Sequence, residues 1–262
     1  MKLKNIWLLF GIFVLLLVPI KIYSSISAIS FAESVGFFAI FIAAILVLGI
    51  CMLYFVKIPI KNIEITKNWI LGALGIAVAL CFFWCIPAYF NDLTTKYDAE
   101  WQPLMMSVFS ALSFVSFILF AISHFMGKSV LTKVPFFIYC PVLWFCLKMI
   151  LFLSMNTNVT DKYAVFSVGI FALFTIYYTQ MFATSTKANN VKIMYFLGLS
   201  GTLFSLSSDV PTILSAFLNQ TFVESQLASA VLGVLLTAYA VMLLVETQKQ
   251  IDNSQVKVID IK

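Results

Sequence analysis

Ser200-Gly-Thr-Leu-Phe-Ser-Leu-Ser-Ser-Asp-Val-Pro211 is the stretch that decides the fold. It lies within a long apolar segment, which puts the Asp209 carboxylate in hydrocarbon, where a charge is costly and usually functional. Residues three and four apart share a face of an α-helix. Around this stretch the small and polar residues follow that spacing: Gly198, Thr202, Ser205, Asp209, Thr212 and Ala216. We therefore predict a membrane-spanning helix with one continuous face of small or polar side chains.

Composition places the whole chain in the class of polytopic membrane proteins. Of its 262 residues, 62% are hydrophobic and 10% are charged, whereas soluble domains have about 45–50% and about 25%. A spanning helix needs about 20 largely apolar residues, so eight apolar segments occupy most of the chain and leave only short loops. We predict an all-α polytopic membrane helical bundle of eight transmembrane helices, forming a single transmembrane domain over residues 1–262.

The apolar segments can be placed along the chain. The first is Ile6–Ile20, and the others are 35–56, 69–90, 103–126, 134–154, 163–185, 193–218 and 222–245, followed by a short polar cytoplasmic tail at 246–262. The first segment is either a retained helix or a secretory signal cleaved near Ser25, which would leave seven helices. Lys21 directly after the run favours a retained helix, as does a run at the long end for a signal core of about 7–15 residues.

The lysines predict how the chain is oriented in the membrane. All sixteen basic residues are lysines. When the loops are assigned to alternate sides, only three loop lysines fall on one side, Lys21, Lys96 and Lys162, and the others fall on the opposite side: Lys2, Lys4, Lys57, Lys61, Lys67, Lys128, Lys133, Lys187, Lys192, Lys249, Lys257 and Lys262. By the positive-inside tendency, both termini are expected in the cytoplasm. We expect an integral protein of a prokaryotic plasma membrane.

Signatures of enzymes, metal sites and nucleic-acid binding are sparse. The sequence has no His-Glu-x-x-His, no Gly-x-Ser-x-Gly, no P-loop and no Rossmann fingerprint, and no basic stripe with interleaved aromatics. A single histidine and cysteines confined to apolar segments do not form a zinc site. We therefore predict no metal, no cofactor and no nucleic-acid partner, and we favour a protein that is not an enzyme. A serine–lysine dyad that includes Lys148 is the remaining catalytic alternative.

Lys148 is the one lysine predicted inside a membrane span. It lies about four residues, or about 6 Å, beyond the midpoint of segment 134–154, given a rise of 1.5 Å per residue. Asp209 has a similar depth in its own segment, so the two residues could form a buried ion pair, in which losing one partner would cost about 3–5 kcal/mol. Alternatively, Lys148 extends to the outer interface, and Ser205, Ser208 or Thr212 hydrogen-bonds Asp209. The sequence leaves both arrangements open.

Prolines predict bends close to both charged residues. Pro211 follows Asp209 by two residues, and Pro135 and Pro141 precede Lys148. A bent membrane helix is tolerated where polar groups or water satisfy the freed carbonyl, and broken helices near the bilayer centre are a recurrent way to build solute and ion sites. The alternative is a polar seam that only fixes the register between helices.

A second group of polar residues lies in the fourth and sixth segments. The serines of the fourth segment could border a pathway, but serine commonly joins membrane helices; they are Ser107, Ser110, Ser113, Ser116 and Ser123. His124 is expected at the membrane interface or, alternatively, as a proton-handling group. Tyr177 and Tyr178 are expected in the interfacial aromatic belt rather than in contact with a substrate.

These observations predict a transporter or permease for a small solute or ion, with protonation of Asp209 as a candidate coupling step. The predicted ligand or ion pathway consists of Asp209, Lys148, Thr202, Ser205, Ser208 and Thr212. The alternative is a non-enzymatic membrane sensor, assembly factor or subunit of a larger membrane complex, in which the same residues are structural. The corresponding partners are the lipid bilayer with either a small solute or ion, or another membrane protein.

Overall fold

The structure, a computed structural model, describes residues 3–26, 35–56, 65–91, 101–130, 134, 136–155, 162–183, 188–219 and 223–259. Within these ranges the chain forms eight α-helices: α1 (Leu3–Ile26), α2 (Val35–Ile50), α3 (Trp69–Asn91), α4 (Trp101–Met126), α5 (Phe136–Met155), α6 (Lys162–Ala183), α7 (Ala188–Asn219) and α8 (Glu224–Ile259). A π-helical turn, Cys51–Phe55, continues α2. The predicted all-α class is therefore confirmed.

Most of the helices have the length and composition of membrane spans. In the described part of the chain, six helical stretches are long and apolar enough to cross a bilayer: Leu3–Ser24, Gly36–Phe55, Trp69–Asn91, Trp101–Met126, Asn190–Leu218 and Glu224–Asp252. Two shorter apolar stretches lie in α5 and α6, Phe136–Phe152 and Lys162–Tyr178. These helices support an integral membrane protein, while the number of spans and the side on which the termini lie stay predictions.

The surface of the bundle suits a lipid environment. Large apolar side chains such as Leu15, Tyr54 and Phe217 are 75%, 80% and 64% exposed. In water such a surface would promote association. In hydrocarbon it needs no cover, because lipid tails are as apolar as these side chains.

Six of the helices form a closed ring. Each consecutive pair from α3 to α8 packs together, and α8 returns to pack against α3. Helices α1 and α2 lie outside the ring, where α1 packs on α7 and the π-helical turn after α2 also contacts α7. The polar stretch from Ser200 to Pro211 therefore belongs to α7, the ring helix that also contacts the two outer helices.

Aromatic side chains fill much of the interior of the ring. Phe82 of α3 stacks on Phe117 of α4 with ring centroids 5.4 Å apart, and Trp144 of α5 meets Phe82 edge-on at 5.2 Å. Tyr239 of α8 completes this group with its ring 5.8 Å from Phe117. Such offset and edge-to-face pairs are the favourable arrangements of aromatic rings, and here they connect four of the six ring helices.

Serines of α4 join this helix to its neighbour α5. The Trp144 indole donates a hydrogen bond to Ser110 Oγ at 2.8 Å, and Ser116 Oγ donates to the Phe137 carbonyl at 2.6 Å. Hydrogen bonds of this kind substitute for the hydrophobic effect, which does not drive association within lipid. The contacts favour the interpretation of the α4 serines as links between helices.

Small residues allow α3 and α4 to approach closely. A Cβ atom added to Gly75 would lie 3.3 Å from the Ala121 Cα and 3.1 Å from its Cβ. Because the neighbouring atoms belong to a helix backbone, they cannot move aside as the end of a long side chain can. By contrast, a Cβ atom added to Gly11 of α1 would have nothing within 4 Å.

We expect Gly75→Val to lower the free energy of unfolding by about 1–3 kcal/mol, as overpacking does in other cores. The control, Gly11→Val, makes the same chemical change in open space and should leave stability nearly unchanged. Thermal unfolding in detergent, followed by size-exclusion recovery, measures both variants. Equal losses for the two variants would contradict the close α3–α4 contact.

The lysine distribution predicts cytoplasmic termini, and an even number of spans requires both termini on the same side. A green fluorescent protein fused after Lys262 should therefore fluoresce in a bacterial host, since it folds in the cytoplasm. Alkaline phosphatase fused at the same position should be inactive, because that enzyme needs an oxidising compartment for its disulfides. The reverse pair of results would show that the positive-inside assignment is wrong.

Candidate functional site

Helix α7 passes Pro211 without ending. Proline removes a backbone donor and normally weakens a helix, yet α7 runs continuously from Ala188 to Asn219. Hydroxyl groups on both sides of the proline donate to carbonyls one turn before them: Ser207 Oγ to the Leu203 carbonyl and Thr212 Oγ1 to the Ser208 carbonyl, both at 2.8 Å. The Thr212 hydroxyl therefore forms its hydrogen bond within α7 itself.

The Asp209 carboxylate is held by its own helix and faces α8. Ser205 Oγ donates to Oδ2 at 2.5 Å, and Ser208 Oγ donates to Oδ1 at 3.2 Å. On the opposite side lies Gly233 of α8, where an added Cβ atom would overlap the carboxylate. The absence of a side chain at Gly233 therefore creates the space that Asp209 occupies.

The two helices meet along an antiparallel contact that continues away from Asp209. Further along, Tyr195 Oη donates to the Leu244 carbonyl, and Gly198 also faces Leu244. Between these two points lie Thr202, two turns before Asp209 on α7, and Thr237, one turn after Gly233 on α8. We call Thr202, Ser205, Asp209, Gly233 and Thr237 the α7–α8 seam.

Two hydroxyls of the seam are buried without a partner. Thr202 and Thr237 are only 1% and 6% exposed, and their hydroxyls have no hydrogen-bond partner within the described part of the chain, as is also true of Ser113 and Ser200. Other helical hydroxyls donate to the carbonyl one turn back, as those of Ser207 and Thr247 do. Buried polar groups normally find a partner, so the Thr202 and Thr237 hydroxyls retain the capacity to form a further hydrogen bond.

Lys148 lies on α5. Its ammonium group is over the ring of Trp144 at 5.2 Å and over that of Phe152 at 5.5 Å, both on α5 itself. Its charge also acts on Cys85 of α3. Helix α6 packs against both α5 and α7, and the Lys148–Asp209 ion pair stays a prediction.

A second polar cluster connects α4, α6 and α8. His124 Nε2 lies 2.9 Å from Tyr178 Oη and 3.1 Å from Tyr239 Oη, and the two hydroxyls are 2.7 Å apart. All three side chains are buried, with 2–3% of their surface exposed. We call these residues the His–Tyr–Tyr cluster. His124 and Tyr178 therefore face the interior of the bundle, and their expected depth at the membrane interface stays a prediction.

The cluster is bounded at the last turn of α4 by residues that precede and begin α3. Glu246 of α8 accepts hydrogen bonds from Thr66 Oγ1 at 2.9 Å and Asn68 Nδ2 at 3.0 Å. Asn68 caps α3, since its Oδ1 accepts from the amides of Ile70 and Leu71. The Asn68 amide also donates to the carbonyl of His124 at 2.9 Å. The residues before α3 therefore contact both the His124 main chain and Glu246.

The sequence contained part of the signal for this cluster. His124 follows Ser113 by eleven residues, or three helical turns, and therefore shares the inward face of α4 with it. Nothing in the sequence indicated that Tyr178 and Tyr239 would meet on that face, since they lie 54 and 115 residues beyond His124.

Among the residues that the structure describes, no group of three histidine, cysteine, aspartate or glutamate side chains is arranged to hold a metal ion. No known protein family, curated protein or solved structure matches the chain. The α7–α8 seam and the His–Tyr–Tyr cluster are thus the features from which a function can be inferred.

The fit between Gly233 and Asp209 can be tested with a double-mutant cycle. We expect Gly233→Ala to destabilise the protein by about 1–3 kcal/mol, because the new methyl group displaces the carboxylate. The same change should cost less in an Asp209→Ala background, where the space is free. Thermal unfolding in detergent provides the comparison.

Gly169→Ala is the matched control for this cycle, because its added Cβ atom would make only an ordinary contact, 3.4 Å from Met149 Sδ. Its effect should be small and independent of residue 209. If Gly233→Ala had the same effect with and without Asp209, the proposed contact between them would be refuted.

Proposed function

We propose that the protein transports a small cation, or a solute coupled to one, and that the α7–α8 seam is its binding position within the membrane. The observation that carries this proposal is that the Asp209 carboxylate and two buried hydroxyls lie along one helix contact. The two hydroxyls, those of Thr202 and Thr237, have no hydrogen-bond partner within the described part of the chain. Ionisable groups within spans are rare and are usually tied to ion or proton pathways.

The chemistry of the seam favours a positively charged ligand. An ionised carboxylate only accepts hydrogen bonds, and each serine or threonine hydroxyl contributes an oxygen with two lone pairs. Oxygen ligands of this kind suit a proton or a hard cation. The chain has no arginine, the residue that would best grip an anionic solute with a bidentate contact.

Protonation of Asp209 would change its bonds to the neighbouring serines. Ser205 and Ser208 both donate to the carboxylate, so each of its oxygens accepts a hydrogen bond. A proton on either oxygen would oblige one serine hydroxyl to turn away or to accept instead. Uptake of a proton is thereby linked to a rearrangement on the face that contacts α8, which is the coupling that we propose for transport.

Lys148 belongs to the proposal as the second charged group of the pathway. Its ammonium group is partly covered by aromatic faces, which attract a cation with about 0.5–2 kcal/mol. Such contacts allow the lysine to remain charged within a helix bundle. Ion pairing with Asp209, when no ligand is bound, would then keep the pathway neutral overall.

The proposal is tested by flux measurements on protein reconstituted into liposomes. Internal pyranine reports proton entry, and an internal sodium-sensitive dye reports Na⁺ entry, both under a potassium diffusion potential. We expect flux above that of protein-free vesicles, and at least a tenfold loss in Asp209→Asn with retained folding. Ser207→Ala should keep full flux, because its hydroxyl serves only the Leu203 carbonyl.

The second candidate is the membrane subunit, assembly factor or sensor. It is favoured by the close contact of Asp209 with Gly233, which would also fix the register of α7 and α8. If the protein has this second function, liposomes that contain it would be no more permeable to protons and Na⁺ than protein-free liposomes. Asp209→Asn would then reduce only stability or the retention of a co-purifying membrane protein.

A further inference from the structure

We propose that the His–Tyr–Tyr cluster is a proton-binding site, separate from the α7–α8 seam, which exchanges its proton with solvent by way of Glu246. The inference does not depend on transport. It rests on the geometry of three buried polar groups and on the Glu246 carboxylate, which acts on His124.

The main chain of Thr66 forms a hydrogen bond with the His124 ring, and because Nε2 faces the two tyrosines, this bond needs the ring proton on Nδ1. With the proton there, the cluster has one contact more than it has protons to fill it: one tyrosine hydroxyl donates to Nε2 and the other donates to the first tyrosine. The third contact, between Nε2 and the second tyrosine oxygen, then brings two lone pairs together at hydrogen-bond distance. The separations are 2.9 Å from Nε2 to Tyr178 Oη, 3.1 Å from Nε2 to Tyr239 Oη and 2.7 Å between the two hydroxyls. Moving the ring proton to Nε2 would fill that contact but take the hydrogen away from Thr66. An added proton on Nε2 can be shared between both tyrosine oxygens, so that every contact contains a hydrogen.

Glu246 supplies the opposite charge that a buried imidazolium needs. A charge removed from water is very unfavourable unless it is paired. The Glu246 carboxylate acts electrostatically on His124, and the main chain of Thr66 forms a hydrogen bond with it. Hydrogen bonds from Thr66 and Asn68 hold this carboxylate in place. Its side chain is still 18% exposed, so it reaches both the cluster side and the solvent.

The other titratable and charged groups around the site point to the same exchange route. From α8, Lys249 lies 3.7 Å from Glu246 and is 64% exposed. Before α3, Lys67 is placed over the ring of Trp69 at 5.7 Å, and after α4, Lys128 is exposed. From α6 the contributing group is Tyr178. These lysines lie on the solvent side of Glu246 or of the α4 end, where a proton would enter.

Aromatic rings close the site on its other side. Phe120 packs on Tyr178 with ring centroids 5.3 Å apart, and Phe117 packs on Tyr239 at 5.8 Å. Neither ring offers a hydrogen-bonding group to continue a relay. Proton exchange is therefore directed toward Glu246 and not deeper into the bundle.

The chain contains one histidine, so selective ¹⁵N-histidine labelling gives the signals of one imidazole ring. In nanodiscs, the two ring nitrogens should change together from the neutral to the doubly protonated pattern in one titration as the pH is lowered. Glu246→Gln should lower the midpoint by about one pH unit, a tenfold loss of proton affinity, because the paired charge is gone.

Glu224→Gln is the matched control. Glu224 begins the same helix and accepts a hydrogen bond from the Trp84 indole at 3.2 Å, far from the cluster, so its variant should titrate as the wild type does. Tyr178→Phe provides a second variant, which keeps the ring but removes one oxygen, and it should also lower the midpoint. Circular dichroism establishes that each variant is folded.

The proposal would be overturned in either of two ways. The ring could stay neutral over the whole pH range in which the protein remains folded, which would make the cluster a clamp between helices. Alternatively, the ring could titrate with the same midpoint in the wild type, Glu246→Gln and Tyr178→Phe. Because the readout is spectroscopic, its failure is distinguishable from a failure of the transport proposal.

Discussion

Polar groups inside this bundle must find partners within the protein, because hydrocarbon offers none. Most helical hydroxyls meet that constraint locally, by donating to a carbonyl one turn back, as Ser207 and Thr247 do. Others meet it between helices, as in the Trp144–Ser110 hydrogen bond. The ring of six helices follows from these contacts together with close approaches at small residues such as Gly75. In the described part of the chain, the buried hydroxyls of Thr202 and Thr237 have no such partner, and neither do those of Ser113 and Ser200.

The two polar regions of the ring satisfy the constraint in different ways. The α7–α8 seam places a carboxylate against a glycine and leaves nearby hydroxyls open to further bonding. The His–Tyr–Tyr cluster is instead bonded among its own members and is linked to solvent through one carboxylate. They lie at different levels, since Gly233 and Tyr239 are six residues, or about 9 Å, apart along α8. A seam open to a ligand and a cluster open to a proton are thus distinct sites on one helix.

The sequence predicted the helices well because long apolar runs have few alternative structures in a membrane protein. The segment predicted at 69–90 is the helix Trp69–Asn91, and that predicted at 103–126 is Trp101–Met126. Helix α8 was less predictable: it continues to Ile259, into the region assigned to a polar tail, because polar residues in a helix carry no hydrophobic signal. The polar face of α7 was likewise readable from its own spacing.

Contacts between helices were not readable in the same way. That Gly233 faces Asp209 depends on the rotation of two helices about their axes, and apolar sequences specify such rotation weakly. His124 was assigned to the interface from its position near the end of a segment. Its contacts are with Asn68, which precedes α3, and with residues of α6 and α8. A single sequence contains no information that pairs such distant positions.

The π-helical turn at Cys51–Phe55 has a mechanical consequence. A π-helical turn widens the backbone and loosens its regular hydrogen bonding, and here the Leu53 carbonyl accepts a hydrogen bond from Lys192 Nζ at 3.0 Å. Lys192 lies in the first turns of α7. The π-helical turn after α2 is therefore hydrogen-bonded to the same helix on which α1 packs. A tilt of α7 would therefore also move the two outer helices, α1 and α2. The area that the protein occupies in the bilayer would then change, and lateral tension in the membrane would act on the helix that contains Asp209.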